Sequence, residues 1–259
     1  MQTLTEILKS YSLLAVAFSG GTDSTLLASE AMRILGKDNV LLLHGESVLL
    51  PECDRNFTRL FREKGWNLQN VPFDPLAIPL VRRNHADRCY HCKKALFAAL
   101  QDEARRAGFP VLADGTNADD LHDFRPGMKA AQELGVVHPF LLCGMTKKDI
   151  RSAAQKSELP NWDLPASACL ASRIPPGTEL SAALLRQIGN SESILSRLGF
   201  SGFRVRFENS HTARLEFNPA QFSLACQQRE VLLAALAKEG FTEVLLDLRG
   251  YRPASWNFR

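Results

Sequence analysis

A glycine turn between an apolar run and a helical pattern is the stretch best suited to chemistry. Residues 15–18 are apolar and lead into Ser19–Ser24, which reads Ser-Gly-Gly-Thr-Asp-Ser. Paired glycines let the backbone turn sharply, and the N-terminus of the next helix adds unpaired N–H groups and a positive dipole end. This pattern predicts a cradle for phosphate, with Ser19 and Ser24 as hydroxyl donors. Asp23 would repel phosphate unless a cation such as Mg²⁺ lay between them.

A second polar turn follows a short apolar run at residues 110–113. It reads Asp114-Gly115-Thr116-Asn117. The Asp and Asn side chains could contact ribose, a metal ion or a pyrophosphate oxygen, and the alternative is a polar turn capped by Asn. Three nearby carboxylates could bind metal or could form a solvated acidic turn: Asp119, Asp120 and Asp123.

The six cysteines include one pair with metal-ligand spacing, Cys89 and Cys92, at a predicted loop-to-helix junction. Such a pair suits metal thiolates or a redox disulfide. Cys169 could add a third thiolate, and three thiolates suit a [4Fe–4S] cluster with one open iron. The alternative is three unrelated thiols. The other cysteines have apolar neighbours and are predicted to be buried: Cys53, Cys143 and Cys226. No histidine spacing suggests metal binding, and no histidine is assigned a catalytic role.

Arginine dominates the basic residues of the C-terminal part. From residue 161 onward there are ten arginines and one lysine. Guanidinium groups bind carboxylate and phosphate in a bidentate manner, so this bias suggests recognition of small anions. Arg204 and Arg206 alternate on one face of a predicted strand, with Glu192 on the preceding helix. The alternative is solvent-facing arginines that pair with Glu208 and Glu216.

Elements that would position these residues alternate between strands and helices in the first half of the chain. Such alternation predicts parallel strands covered by helices on both faces, with ligands at the carboxyl ends of the strands. Four prolines between residues 159 and 176 interrupt the pattern. We predict an α/β domain over residues 1–160 and a smaller α+β domain over residues 161–259. The C-terminal part contains a predicted helix at 219–238.

Composition excludes several classes of protein. The formal net charge of +3 over 259 residues is small for a dedicated nucleic-acid binder. No apolar run approaches the roughly 20 residues of a membrane span. The first residues lack the basic start and apolar core of a signal peptide. We therefore expect a cytoplasmic protein that does not bind membranes, and we do not expect nucleic acid as a partner.

The glycine turn resembles the PP-loop of the N-type ATP pyrophosphatases, which cleave ATP to AMP and pyrophosphate. Further motifs, in order, are similar to the LarE family, the ATP-dependent sulfur transferases of nickel-pincer nucleotide synthesis. They are Asp114–Asn117, Asp123–Gly127, Cys169–Arg173, Pro175–Thr178 and Arg204–Phe207. The resemblance extends from about residue 13 to residue 252. It implies a PP-loop domain followed by a substrate-binding and sulfur-transfer domain.

The resemblance also implies a reaction and its residues. A pyridinium dicarboxylate mononucleotide is adenylated by ATP, and sulfur then displaces AMP to leave a thiocarboxylate. ATP would be bound with Mg²⁺ by Ala17, Ser19, Gly20, Gly21, Thr22, Asp23, Ser24, Asp114, Gly115 and Asn117. The acceptor would be bound by Ser172, Arg173, Glu192, Arg204, Arg206 and Asp247. Asp23 and Cys169 would be the catalytic residues.

Sulfur reaches the acceptor in two ways within the resembled family. Some members sacrifice one cysteine, and others hold a [4Fe–4S] cluster on three. Cys89, Cys92 and Cys169 resemble the second type, since the sacrificial cysteine aligns with Ala168 rather than Cys169. Expected partners are the small nucleotide substrate, other enzymes of the nickel-pincer pathway and further copies of this chain. The rival functions are tRNA 2-thiolation and regulation by nucleotide binding without turnover.

Overall fold

The structure, a computed structural model, describes residues 2–122, 126–164 and 168–252. The chain forms two compact units. Unit 1 comprises Met1–Ser47, Cys53–Ile78 and Asp87–Ser167, and unit 2 comprises Val48–Glu52, Pro79–Ala86 and Ala168–Arg259. Two short segments from the N-terminal half thus belong to unit 2. The predicted domains, 1–160 and 161–259, differ from these units at the boundary and at those two segments, and they stay a prediction.

Unit 1 alternates between strands and helices. Its strands are β1 (Leu14–Ala17), β2 (Val40–Glu46), β3 (Leu68–Pro72) and β4 (Leu112–Ala113). Its helices are α1 (Leu4–Lys9), α2 (Thr22–Leu35), α3 (Glu52–Glu63), α5 (Arg88–Arg106), α6 (Pro126–Glu133), α7 (Pro139–Leu142) and α8 (Lys147–Lys156), while α4 (Pro79–Arg82) belongs to unit 2.

The four strands form one parallel sheet in the order β3-β2-β1-β4. Side chains alternate between its two faces, as the pleat of a strand requires. On one face Leu14 and Val16 pack with apolar side chains of α1, α2, α3, α7 and α8. On the other face Ala15 packs with side chains of α5 and α6. Burial on both faces explains the near-continuous apolar strands and confirms the predicted α/β class with a parallel sheet.

The strand order predicts where a ligand would bind, namely beyond the carboxyl ends of β1 and β4. The connection after β1 leads to β2 on one side, and β4 pairs on the other side of β1. The strand order thus changes direction between β1 and β4. Open parallel sheets bind ligands at such a switch point, beyond the carboxyl ends of the strands. Both polar turns identified in the sequence follow β1 and β4 and therefore emerge at this point.

Unit 2 contains a smaller mixed sheet. Its further elements are α9 (Ala182–Arg197), β5 (Arg204–Phe207), β6 (Thr212–Glu216), α10 (Phe222–Gln227), α11 (Arg229–Lys238) and β7 (Glu243–Leu246). β5 and β6 are antiparallel, and β6 and β7 are parallel. The helix predicted over residues 219–238 is broken: a 3₁₀ turn at Pro219–Gln221 precedes α10, and α11 begins after Gln228.

Two predictions about exposure can be compared with the structure. Cys226 is exposed and Cys143 is partly exposed, so the prediction that they are buried is wrong. The reason for Cys226 is that α10 buries the neighbouring Ala225 and leaves Cys226 outward. The side chain of Cys53 lies outside the described residues, as does Asp123. Among the helices that the structure describes, none is long and apolar enough to cross a membrane.

Candidate functional site

Residues Ser19–Ser24, the glycine loop, join β1 to α2. Gly20 has a φ of 81°, a conformation that glycine adopts without strain. The Ser19 and Ser24 hydroxyls lie 3.2 Å apart, and the Ser24 hydroxyl also donates to the Gly21 carbonyl at 3.1 Å. Gly21 is the N-cap residue of α2 and brings no side chain that could cap the first N–H groups. The loop therefore presents backbone donors at a helix N-terminus, as the sequence predicted for an anion cradle.

Asn161 holds the glycine loop from inside unit 1. Its side-chain amide donates to the Gly20 carbonyl and to the Thr25 hydroxyl, both at 2.8 Å. Its backbone carbonyl accepts from the Thr22 hydroxyl at 2.7 Å. Asn161 is fully buried. The hydroxyl of Thr22, a predicted ATP-binding residue, is therefore directed into the protein.

The turn after β4 lies against the glycine loop. A Cβ added to Gly115 would lie 3.0 Å from the backbone carbon of Asp23 and from the nitrogen of Ser24. Such distances are shorter than most contacts of a Cβ atom, so a side chain at position 115 would press on the backbone of the glycine loop. The predicted ATP-binding residues of the two turns are therefore neighbours. Ala17, which ends β1, completes the predicted set at this edge.

Asp23 belongs to a closed ring of four residues, here called the Asp23 ring: Asp23, Asn117, Asp119 and Lys147. The Lys147 ammonium pairs with Asp23 Oδ1, and the Asn117 amide donates to Asp23 Oδ2 at 3.2 Å. Asn117 Oδ1 accepts the Asp119 N–H at 3.0 Å, and Asp119 Oδ2 accepts the Lys147 N–H at 2.9 Å. The ring thus ties the first turn of α2 to the start of α8 through the turn after β4.

Asp114 is held by a histidine that the sequence did not single out. Its Oδ1 lies 2.6 Å from His138 Nδ1 and accepts the Thr116 N–H at 3.0 Å. Burial alone would raise the pKa of the Asp114 carboxyl, but His138 and the Thr116 N–H lower it by more, so the pKa lies below its usual value. Asp114 is therefore an ionised carboxylate beside the glycine loop at neutral pH.

In unit 2 the predicted acceptor-binding residues form one arginine network with further charged residues. The network comprises Ser172, Arg173, Glu192, Arg204, Arg206, Arg214, Glu216 and Asp247. Arg173 forms two 2.9 Å hydrogen bonds with Glu192, and both side chains are buried. Burial would lower the pKa of Arg173, but the Glu192 carboxylate raises it above its usual value. The guanidinium also donates to the carbonyls of Ala168, at 2.7 Å, and Cys169, at 3.2 Å, so it holds the segment that carries Cys169.

The second arginine pair of the network is also buried. Arg206 donates to Glu216 at 2.9 Å and to the Ser172 carbonyl at 2.6 Å. Glu216 also accepts from Arg214 at 2.8 Å, and Arg214 donates to Asp247 at 2.6 Å. The alternative of solvent-facing arginines is therefore wrong for Arg206. Arg206 does pair with Glu216, but Arg206 on β5 and Glu216 on the neighbouring strand β6 are both buried.

Arg204 differs from the other predicted arginines. It is partly exposed, donates to the Tyr251 hydroxyl at 3.1 Å, and its guanidinium carbon lies 4.8 Å from the centre of the Tyr251 ring. Burial, and then the charge of Arg173, lower the pKa of Arg204, whereas Glu192 raises it. The pKa of Arg204 therefore lies below its usual value, and a nearby anion would stabilise its charge.

The three candidate cluster cysteines lie in two units. Cys89 and Cys92 are in the first turns of α5, three residues apart and thus on one side of the helix. Cys89 is exposed, and Cys92 and Cys169 are partly exposed. His91 Nε2 lies 3.2 Å from Asp87. Within either unit, the part of the chain that the structure describes has no group of three or more His, Cys, Asp or Glu side chains positioned to hold a metal ion.

Sequence reasoning missed several residues of these sites, namely Lys147, Asn161, His138, Arg214 and Tyr251. Each makes at least one of its contacts with a residue 24 or more positions away along the chain. Lys147 opens a helix, and its neighbours Thr146 and Asp149 form a capping box that the sequence does show. Nothing in that local pattern points to Asp23. Only the arginine bias of the C-terminal part gave a signal, and it applied to Arg214 as one of ten arginines.

The chain was compared with known proteins to identify its relatives. No family model matches it. It is 36% identical over 257 residues to pyridinium-3,5-bisthiocarboxylic acid mononucleotide synthase of Lactiplantibacillus plantarum, with 98% of this chain and 92% of that protein covered.

Two uncharacterized proteins are also similar. One, from Synechocystis, is 37% identical over 93% of this chain and 91% of its own length. Another, from Methanocaldococcus jannaschii, is 30% identical over 92% of this chain and 90% of its own length. Because the 36% identity to the synthase covers nearly the full length of both chains, the chain belongs to the LarE family, that of pyridinium-3,5-bisthiocarboxylic acid mononucleotide synthase.

Proposed function

We propose that the protein is an ATP-dependent sulfur transferase of nickel-pincer cofactor synthesis. The observation that carries the proposal is the 36% identity to the synthase over 98% of the chain. In the proposed reaction a carboxylate oxygen of a pyridinium dicarboxylate mononucleotide attacks the α-phosphorus of ATP and pyrophosphate leaves. A sulfide then attacks the acyl carbon, AMP leaves, and a thiocarboxylate remains. Adenylation is needed because a free carboxylate is an anion with a poor leaving group.

The glycine loop is proposed to bind the ATP phosphates. Its backbone N–H groups and the N-terminus of α2 supply donors where charge develops on the departing pyrophosphate. The residues proposed for this role are Ala17, Ser19, Gly20, Gly21, Thr22, Asp23, Ser24, Asp114, Gly115 and Asn117. Asp23 is a partly exposed carboxylate, which suits Mg²⁺, and a bound Mg²⁺ would offset the charge of the phosphates.

The arginine network is proposed to bind the acceptor. Its predicted members are Ser172, Arg173, Glu192, Arg204, Arg206 and Asp247. Arg173 and Arg206 are buried against Glu192 and Glu216, respectively. We propose that these two arginines position the segment around Ser172. Arg204 is more accessible and is proposed to bind a carboxylate or the phosphate of the acceptor. Bidentate guanidinium binding suits both anions.

Sulfur delivery is proposed to depend on three cysteines. None of Cys89, Cys92 and Cys169 is a buried residue, and three thiolate donors fit a [4Fe–4S] cluster. When bound, such a cluster would supply sulfur as sulfide at its open iron. The alternative role of Cys169 is sacrificial donation of its own sulfur. We further propose a cytoplasmic location, association into a homo-oligomer, and transfer of the product to other enzymes of the same pathway.

Product analysis tests the proposed reaction. Purified protein is incubated with Mg-ATP and pyridinium-3,5-dicarboxylic acid mononucleotide, with sulfide as the sulfur source. We expect AMP and pyrophosphate in equal amounts and a thiocarboxylate product. Release of ADP and phosphate, or acceptor-independent turnover, would contradict the proposal. Short tRNA substrates provide the comparison for the rival thiolation function, and pyrophosphate release with tRNA alone would favour that rival.

Metal analysis tests the sulfur source. Anaerobically purified protein should contain about four iron atoms per chain and turn over repeatedly with added sulfide. Replacing Cys89, Cys92 or Cys169 with Ala should remove both iron and activity, whereas Cys143→Ala is the control outside the proposed ligand set. Iron-free protein that is active for one turnover, with Cys169 lighter by the mass of H₂S, would show sacrificial donation instead.

A further inference from the structure

We propose that Asn161 is a positioning residue of the pyrophosphate-forming step, because it orients the Gly20–Gly21 peptide so that the Gly21 N–H faces the phosphates of ATP. The inference rests on the proposed function and adds a residue outside the predicted ATP-binding set. Asn161 follows α8, is 141 positions from Gly20 along the chain, and would itself contact no phosphate. It acts through the backbone of the glycine loop, whose N–H groups are proposed to stabilise the departing pyrophosphate.

The orientation of the Gly20–Gly21 peptide is set on its carbonyl side. The Asn161 amide donates to the Gly20 carbonyl at 2.8 Å, and Asn161 is fully buried, so this carbonyl points into unit 1. The peptide is trans, and in a planar trans peptide the carbonyl and the N–H that follows it point in opposite directions. The Gly21 N–H is therefore directed away from Asn161.

The Gly21 N–H lies on the accessible side of the loop. Gly20 is buried, whereas Gly21 is partly exposed. The Gly21 nitrogen is 3.3 Å from the Ser19 hydroxyl oxygen, which is long for an N–H···O hydrogen bond and therefore indicates a weak one. A phosphate oxygen is a charged and stronger acceptor. It could accept from the Gly21 N–H without breaking a strong hydrogen bond of the protein.

Two further hydrogen bonds fix Asn161 relative to α2. Its amide also donates to the Thr25 hydroxyl at 2.8 Å, and its backbone carbonyl accepts from the Thr22 hydroxyl at 2.7 Å. Both threonines belong to the start of α2. The amide is therefore held in place on the helix that follows the loop, and the Gly20 carbonyl is bound before any ligand arrives. A donor that is already oriented costs no reorganisation when charge develops on the phosphates.

A merely structural role would make Asn161 a link between α2 and the segment after α8. Thr25→Val is the matched control for that role, because it keeps the shape of the side chain and removes the hydroxyl that accepts from Asn161. It leaves the bond from Asn161 to Gly20 in place. Thr25 is fully buried, so both Thr25→Val and Asn161→Ala should lower the stability of the fold. Only Asn161→Ala should release the Gly20 carbonyl.

The comparison of ATP with AMP tests the proposed role, because AMP lacks the phosphates that leave as pyrophosphate. Dissociation constants of both nucleotides are measured by calorimetry with saturating Mg²⁺ and no acceptor, and denaturant titration measures the stability of each variant. We expect Asn161→Ala to weaken ATP binding by about tenfold to a hundredfold, as for loss of a hydrogen bond to a charged group. AMP binding should change by less than about twofold, and Thr25→Val should bind both nucleotides like wild type.

Three results would overturn the inference: unchanged ATP binding by Asn161→Ala, equal weakening of ATP and AMP, or an equal loss of ATP affinity in Thr25→Val. If Asn161→Ala does not fold, Asn161→Asp is the second variant. It keeps the shape of the side chain and offers at most one donor, when protonated, and we expect the same selective loss of ATP affinity. Wild-type product analysis separates the two proposals, because pyrophosphate release supports the proposed function whatever the variants of Asn161 bind.

Discussion

The glycine loop and the arginine network differ in the groups that they offer to a charged ligand. The glycine loop relies on backbone: two glycines, the N-terminus of α2 and a close approach by Gly115. The arginine network relies on side chains, with Arg173 and Arg206 buried against Glu192 and Glu216. A backbone cradle contains no buried charge, whereas buried ions must be paired to be tolerated. Substitutions in the loop should therefore change function more than stability, and substitutions of buried arginines should change stability first.

Removal of one buried ion is the largest expected effect and the sharpest test of this difference. Arg173→Ala leaves the Glu192 carboxylate without its bidentate partner, so the free energy of unfolding should fall by about 3–5 kcal/mol. Denaturant titration measures it. The matched control replaces both partners, Arg173→Leu with Glu192→Leu, and should recover most of the loss because no lone charge remains buried. A stable single variant would show that the pair is more solvated than its 2% and 11% side-chain exposures indicate.

The corresponding change in the glycine loop should spare the fold. Asp23→Ala removes the carboxylate proposed to hold Mg²⁺, which contributes several kcal/mol to stabilising charge in phosphoryl chemistry. Pyrophosphate release should fall at least about a hundredfold, while the unfolding midpoint stays close to that of wild type. Asp38→Ala, at an exposed position after α2, is the control for activity. Loss of stability comparable to that of Arg173→Ala would erase the distinction between the two regions.

Arg204 is the member of the arginine network expected to behave like the loop. It is partly exposed and stacks on Tyr251. Arg204→Ala should raise the acceptor KM about tenfold to a hundredfold, since one bidentate contact to a charged group is lost, and should leave the ATP KM unchanged. Arg206→Ala should instead destabilise the protein. Arg186→Ala, on the exposed side of α9, is the control. Equal effects of the Arg204 and Arg206 variants on stability would contradict this division of roles.

The smallest effect concerns the Asp114–His138 pair beside the glycine loop. The folded pKa of Asp114 is lowered, so its contribution to stability is present above the ordinary aspartate pKa of about 3.9 and is lost as pH falls through the lower folded value. Asp114→Asn keeps an acceptor for His138 and removes the charge. At pH 6 it should cost about 1 kcal/mol of unfolding free energy.

The pH dependence of that cost is the diagnostic measurement for Asp114. Denaturant titrations of wild type and Asp114→Asn at pH 6, 4 and 3 should converge as the carboxyl is protonated in the folded protein. His138→Gln provides the matched change on the other partner. A stability difference that stays constant down to pH 3 would show that the charge of Asp114 does not carry the effect.

Local patterns were enough to predict the elements that carry the glycine loop. The helix predicted to follow the glycine turn is α2, and the apolar run before the turn is β1. Thr146 and Asp149, three residues apart, form a capping box at the start of α8. These features depend on residues that are close in the sequence, so they can be predicted from the sequence. The break at Gln228 between α10 and α11 was missed, because an apolar helical pattern continues across it and the packing of each short helix decides where the chain bends.

The site residues divide in the same way. The family motifs, from Ser19–Ser24 to Arg204–Phe207, can be recognised in the sequence. The partners of the site residues cannot: the Asp23–Lys147 pair spans 124 residues and the hydrogen bond from Asn161 to Gly20 spans 141. The sequence by itself determined the α/β pattern, the glycine turn and the family. Only the tertiary structure decided which side chains face one another, and therefore that Arg206 is buried against Glu216 and that Lys147 lies at Asp23, because such contacts depend on how distant segments pack.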